Sequence, residues 1–270
     1  MDTMCKTLKY LLPLGLWLNL TFISAGEPPS TNWALVMNDE FSGSSLDTTK
    51  WSTTCGYPVS GGFAFNPTNI VVSEGSLKLV ANKETLHGKS YTAAFLESRF
   101  NDPGNGSYLE VQAKMMDARA NVCCAIWEQT FPLLRSLNPN PEIDIVEYML
   151  GSNASPKMVR TTLHRWPIKA GPHTEDAHTI FYGPAPLCDA FHTYGLERSD
   201  GKLRFYLDGS KYWEADVNSM PEDVTMPRHL IFSVEGHAGK PVDAYLPAIF
   251  EIDYVRIYKH RDTSPASGSR

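Results

Sequence analysis

Short β-favouring runs, each closed by a turn signal, recur along this chain. Beyond its N-terminal apolar stretch, no long segment repeats apolar residues at the helical period. "NIVVSEGSLKLVAN" (69–82) reads as strand, Glu74-Gly75 turn, strand. "YLEVQAKMMDA" alternates. "GLERSDGKLRFYLDGSKYWEA" carries two Asp-Gly turns, Asp200-Gly201 and Asp208-Gly209, between strand-like flanks. Asp-Gly in that setting is a strong hairpin signal, because both residues tolerate positive φ. "HLIFSVEG" and "FEIDYVRIYKH" add two more strands. Many short strands without intervening helices imply a sandwich or barrel rather than βαβ units.

The first residues read differently. Lys6 and Lys9 precede "YLLPLGLWLNLTFISAG", with small residues at Ser24, Ala25 and Gly26. This pattern is that of a removable export signal over 1–25; it is too short and too interrupted for a spanning helix. The expected organisation is a signal over 1–25, a single domain over 26–260 and a flexible tail over 261–270. The mature chain is expected to be secreted, extracellular or periplasmic, monomeric and free of the membrane. Loss of 1–25 removes Asp2, Lys6 and Lys9, leaving 22 basic and 29 acidic residues. An acidic chain without a Lys/Arg stripe argues against nucleic acid as a partner. Export permits disulfides. Of the four remaining cysteines, a Cys55–Cys188 bridge is favoured over the adjacent Cys123–Cys124 pair, with free thiols as the alternative.

One strand breaks the ordinary pattern. "PEIDIVEYM" (141–149) places Glu142, Asp144 and Glu147 among apolar, β-favouring residues. Strict alternation puts Glu142 and Asp144 on one face and Glu147 on the other. One extra residue at Ile145-Val146, a β-bulge, would return Glu147 to the face of the first two. Glu142 and Glu147 would then lie about 13 Å apart at Cα, at roughly 3.3 Å per step. Most acids on strands are a solvated face, and the chain contains its own control. "EID" recurs at Glu251–Asp253, but there the third acid is replaced by Arg256. Three carboxylates this close cannot all ionise cheaply, so at least one pKa must rise. Retaining glycoside hydrolysis needs such a split between a carboxylate nucleophile and a carboxylic acid donor.

"EIDIVE" resembles the bulged catalytic signature of glycoside hydrolase family 16. "WALVMNDEFSGSSLDTTKW", "TNIVVSEGSLKLVA", "AIWEQ", "FHTYGLERSDGKLRFYLDG" and "IDYVRIYK" resemble further strands of that family, in the same order. The resemblance implies an all-β jelly-roll sandwich of two antiparallel sheets with a concave substrate cleft. It implies Glu142 as nucleophile, Glu147 as general acid/base and Asp144 as the residue that tunes the nucleophile. It implies Trp127 as a sugar-stacking platform and His164 as a cleft residue. Trp166 and Trp213 are weaker stacking candidates. Arg198 stands where the family often has Trp, and could contact a polar sugar group. Glu235 and His237, with "WEQ", resemble the agarase and porphyranase branches rather than the glucanase branch. No cofactor is required; a structural calcium is possible, with Asp253 a weak ligand candidate. The expected partner is a polysaccharide, an algal galactan or a β-1,3-type glucan. The alternatives are a non-catalytic carbohydrate-binding protein and a wall transglycosylase on the same fold.

Overall fold

Each of the three turns closes with both central residues at positive φ: Glu74 and Gly75, Asp200 and Gly201, Asp208 and Gly209. Such turns match the right-handed twist of the strands they join, and each here closes an antiparallel hairpin. The structure is a computed structural model that describes residues 28, 30–54, 59–130, 140–149, 155–167, 172, 174–217 and 220–261. The expected signal, nearly all of the expected tail and Cys55 lie outside these residues.

In chain order the strands are β1 (Trp33–Asp39), β2 (Trp51–Ser52), β3 (Val59–Ser60), β4 (Phe63–Phe65), β5 (Ile70–Ser73) and β6 (Ser76–Ala81). There follow β7 (Tyr91–Ala93), β8 (Phe95–Asp102), β9 (Ser107–Lys114), β10 (Cys123–Gln129), β11 (Asn140–Tyr148) and β12 (Met158–Trp166). The last are β13 (Thr174–Tyr182), β14 (His192–Ser199), β15 (Lys202–Leu207), β16 (Ser210–Asp216), β17 (Arg228–Glu235) and β18 (Ala248–His260). A short helix, α1 (Glu222–Thr225), precedes β17, and no described helix is long and apolar enough to cross a membrane. The back sheet runs β16-β15-β14-β9-β18-β6-β5, with β1 also on β18. The front sheet runs β13-β12-β11-β10-β17-β8-β2. All pairings in both sheets are antiparallel.

The alternation of the strands builds the core. Ile126, Ile143, Leu163 and Phe232 of the front sheet meet Leu109, Val111, Leu196, Phe205, Phe250 and Ile252 of the back sheet in one fully buried cluster. Burial of such side chains contributes about 25 cal/mol per Å² of apolar area. The residues between them on the front sheet therefore face outward, where a second small apolar cluster gathers Phe95, Ala125, Trp127 and Ile231.

Three expectations, for Arg198, Trp213 and the Cys55–Cys188 bridge, need correction. Arg198 is fully buried on β14 and faces the inter-sheet space, bound to Glu128 at 3.3 Å and to the Asp223 carbonyl at 2.9 Å. A guanidinium so enclosed contacts no sugar. Trp213 lies on β16 of the back sheet, stacked on Phe205 at 5.0 Å, away from the front face. Cys188 carries a free thiol, as do Cys123 and Cys124. Asp253 sits in β18 of the back sheet and belongs to no ion-sized group of three His, Cys, Asp or Glu among the described residues. Its strand is also bulged, between Ile252 and Tyr254, so a bulge by itself does not create a site.

Candidate active site

The bulge in β11 is where the three-acid spacing requires it. Against β12, Asp144 pairs with Thr162 and Glu147 with Arg160, so Ile145 and Val146 together face Thr161. Against β10, Asp144 pairs with Trp127 and Val146 with Ile126, which leaves Ile145 as the extra residue. Ile145 and Val146 both enter the inter-sheet core. The phase thus flips, and Glu147 shares the outer face with Glu142 and Asp144. Thr161 and Tyr212 donate to the Ile145 carbonyl at 2.9 and 3.3 Å, so the irregular backbone is satisfied.

Neighbouring strands supply partners at matching positions. On β12, Arg160, Thr162 and His164 alternate onto the same face. His164 lies opposite Glu142, and its Nε2 is 2.8 Å from Asp144 Oδ2. Thr162 donates to Glu147 Oε2 at 3.2 Å, and Arg160 Nε lies 3.6 Å from the same oxygen. Arg160 also donates to Glu175 of β13 at 2.8 Å. On β10, Gln129 donates to Glu142 Oε2 at 2.9 Å. Trp127 is packed edge-on to Phe95, with its indole N–H donated to Ser233 at 3.0 Å. On β17, Glu235 accepts from His237 at 2.8 Å. Trp166, partly exposed at the end of β12, lies beside His164 and donates to Glu142.

Electrostatics follow from burial. Glu142 is pushed well above the usual carboxylate range, first by burial and then by the charge of Asp144. His164, Gln129 and Trp166 act in the opposite direction, since each favours the ionised form. Asp144 is pushed up by burial, then by Glu147 and Glu235. Two buried carboxyls in this field hold protons more tightly than free ones, and they titrate as a coupled set. Within it Glu142 has donors aimed at its oxygens, the arrangement a nucleophile needs. Glu142, Asp144 and His164 each offer a ligand atom, all within 4.8 Å of one another.

The front face therefore brings together seven of the residues marked from sequence: Trp127, Glu142, Asp144, Glu147, His164, Trp166 and Glu235. Gln129, Arg160, Thr162, Glu175 and Ser233 were not marked. Gln129 was legible, since it stands two residues beyond Trp127 and shares its face. The alternation of Arg160, Thr162 and His164 was legible for the same reason.

No family model matches the chain. It is 31% identical over 262 residues to the Beta-glucanase of Rhodothermus marinus, covering 84% of this chain and 86% of that protein. The chain belongs to glycoside hydrolase family 16. It is also 28% identical over 251 residues to the Clotting factor G alpha subunit of Tachypleus tridentatus, spanning 87% of this chain but only 35% of that larger protein. Porphyranase B of Zobellia galactanivorans superposes with a TM-score of 0.72 at 20% identity, covering 87% of this chain and 96% of that one, a likeness of fold. The two sheets are thus the family 16 jelly roll, and its front face is the concave cleft. The chain is a glycoside hydrolase, an endo-β-glycanase acting on polysaccharide. Family 16 chemistry requires no cofactor.

Proposed function

We propose that the protein is a secreted, retaining endo-β-glycosidase of a neutral β-linked polysaccharide, with β-1,3-type glucan favoured over sulfated galactan. The observation that carries this reading is the bulge at Ile145, which sets Glu142, Asp144 and Glu147 on one face of one strand. The Glu142 carboxylate attacks the anomeric carbon while Glu147 protonates the departing glycosidic oxygen. The resulting ester is a covalent glycosyl-enzyme. Glu147, now ionised, takes a proton from water, which attacks the same carbon and releases Glu142 with net retention. Asp144 and His164, bonded to each other at 2.8 Å, act on the nucleophile through their charge.

Charge supports a neutral substrate. Glu142, Asp144, Glu147, Glu175 and Glu235 crowd the cleft face of β11, β13 and β17. Arg160, set among them, is engaged by Glu175 and Glu147. A sulfate ester entering this field meets repulsion from several fixed carboxylates. The likeness to a beta-glucanase supports glucan over galactan. The test is a screen of released reducing ends on laminarin, lichenan, agarose, porphyran and κ-carrageenan. Cleavage of laminarin or lichenan without cleavage of the sulfated galactans is expected. Preference for κ-carrageenan or porphyran would overturn the substrate reading. Proton NMR of the first-formed product should show the β-anomer, and initial α-anomer would rule out retention.

A further inference from the structure

Behind the catalytic strand, between the sheets, lies a buried cluster of charge. Asp102, Glu128, Arg198, Asp223 and Arg228 are all fully buried, and Arg165 nearly so. Buried ion pairs are poor evidence for stability, because desolvation of both partners offsets most of their attraction. The contacts of this cluster point elsewhere. Asp223, on α1, accepts from Arg165 Nη2 at 2.7 Å through one oxygen and from Arg228 Nη2 at 3.0 Å through the other. Arg165 Nη1 donates to the carbonyl of His164 at 3.0 Å. Arg228 Nη1 donates to the carbonyl of Pro141 at 2.5 Å. Pro141 precedes Glu142 and pairs with Arg165, as Glu142 pairs with His164.

We propose that Asp223 is a positioning residue for catalysis: through Arg165 and Arg228 it fixes the backbone carbonyls beside His164 and Glu142, and so sets these two side chains in the cleft. This inference rests on the reading of Glu142 as nucleophile. Arg198 extends the same clamp to β10. It takes the Asp223 carbonyl at 2.9 Å and Glu128 at 3.3 Å, and Glu128 lies between Trp127 and Gln129. Three adjacent strands of the cleft are thus tied from behind, each at a residue next to one that faces substrate. A planar guanidinium suits this task, since it can hold a carboxylate and a carbonyl at once in a fixed geometry. The exposed face of the cleft then needs no bulky support of its own.

The test compares Asp223→Asn and the milder Arg165→Lys with the parent chain. Histidine ring signals in ¹H–¹⁵N NMR report placement without any substrate. The His164 ring, bonded to Asp144, is expected to shift in both variants. The His192 ring, bonded to Asp208 on the back sheet at 2.8 Å, is expected to stay unchanged and serves as the reference. On laminarin, kcat per titrated active site is expected to fall by about 100-fold in Asp223→Asn, with KM within about twofold, because misplacement of reacting groups by an ångström costs that order of rate. Arg165→Lys is expected to lose less. Unmoved His164 signals in a folded variant overturn the proposal, whatever happens to the melting temperature. So does wild-type kcat per active site with only a lowered melting temperature, the result of a purely structural role. If Asp223→Asn does not fold, Arg165→Lys carries both readouts. If the parent chain does not cleave laminarin, the substrate reading fails, while the His164 signals still decide this proposal.

Discussion

At the scale of single residues, the cleft separates three carboxyls by the partners each one has. Glu142 accepts from Gln129 and Trp166, and the imidazole of His164, bonded to Asp144, adds its charge beside it. Glu142→Gln keeps the shape and removes the nucleophile. Turnover should fall by at least about 10³-fold with the fold intact, since the covalent route is then closed. A folded variant with wild-type turnover, checked by circular dichroism and reducing-end release, would remove Glu142 from that role. Glu147 is held by Thr162 and approached by Arg160, and has the more open setting that a group shuttling protons to solvent requires. Glu147→Ala should lose most activity on polysaccharide and less on an activated aryl glycoside, whose leaving group needs little protonation. External azide should then replace the missing base-assisted water and give a β-glycosyl azide. Asp144→Asn should slow the reaction without azide rescue, because its lesion is in tuning Glu142. Rescue of Asp144→Asn and not of Glu147→Ala would reverse the two roles.

At the scale of elements, the chain announced most of its strands and the important irregularity. Period-two alternation and Asp-Gly turns are local signals, and the hairpins they marked formed as read. The bulge was legible because polar residues at 142, 144 and 147 cannot share a face on a regular strand. The second bulge, at Asp253, was not legible. There the control motif lacks a third acid, and nothing in its polarity reports the change of phase. Strand identity was also easier to read than strand placement. Arg198 and Trp213 sit on strands correctly recognised, yet on the sheet behind the cleft, because which sheet a strand joins is set by long-range pairing. Deletion of Ile145 tests the element directly. The shortened strand reads Glu142-Ile143-Asp144-Val146-Glu147, and regular alternation keeps all three acids on the cleft face with Ile143 and Val146 toward the core. Turnover, read as reducing-end release, should therefore survive, while the melting temperature should drop because the Ile145 side chain is lost from the inter-sheet core. A folded deletion variant without turnover would show that the acids need the bulge itself and not a shared face alone.

At the scale of the whole molecule, the clamp around Asp223 could not be read in advance. Its members stand at 102, 128, 165, 198, 223 and 228, too far apart for any local pattern, and meet only after both sheets have formed. The same long-range assembly buries Glu142 and Asp144, and this gives the fold a pH dependence with a definite sign. Burial comes first and neighbouring carboxylates second in raising both groups. A group whose folded pKa exceeds its unfolded value, about 4 for a carboxyl, contributes stability that is fully present below that value. That contribution is lost as pH rises through the folded pKa. Asp144→Asn cannot ionise and so escapes the loss. Its melting temperature relative to the parent should therefore climb as pH increases from about 4 to about 8. Each kcal/mol recovered should appear as about 2–4 °C. Loss of the hydrogen bond to His164 adds an offset, but the trend with pH survives it. Carboxylates held low by partners, such as Glu40 beside Arg256, titrate equally in both proteins and cancel in the difference. Melting curves of both proteins across that range are the measurement. A difference that stays flat, or that falls as pH rises, would show that the catalytic carboxyls are not raised in the folded state.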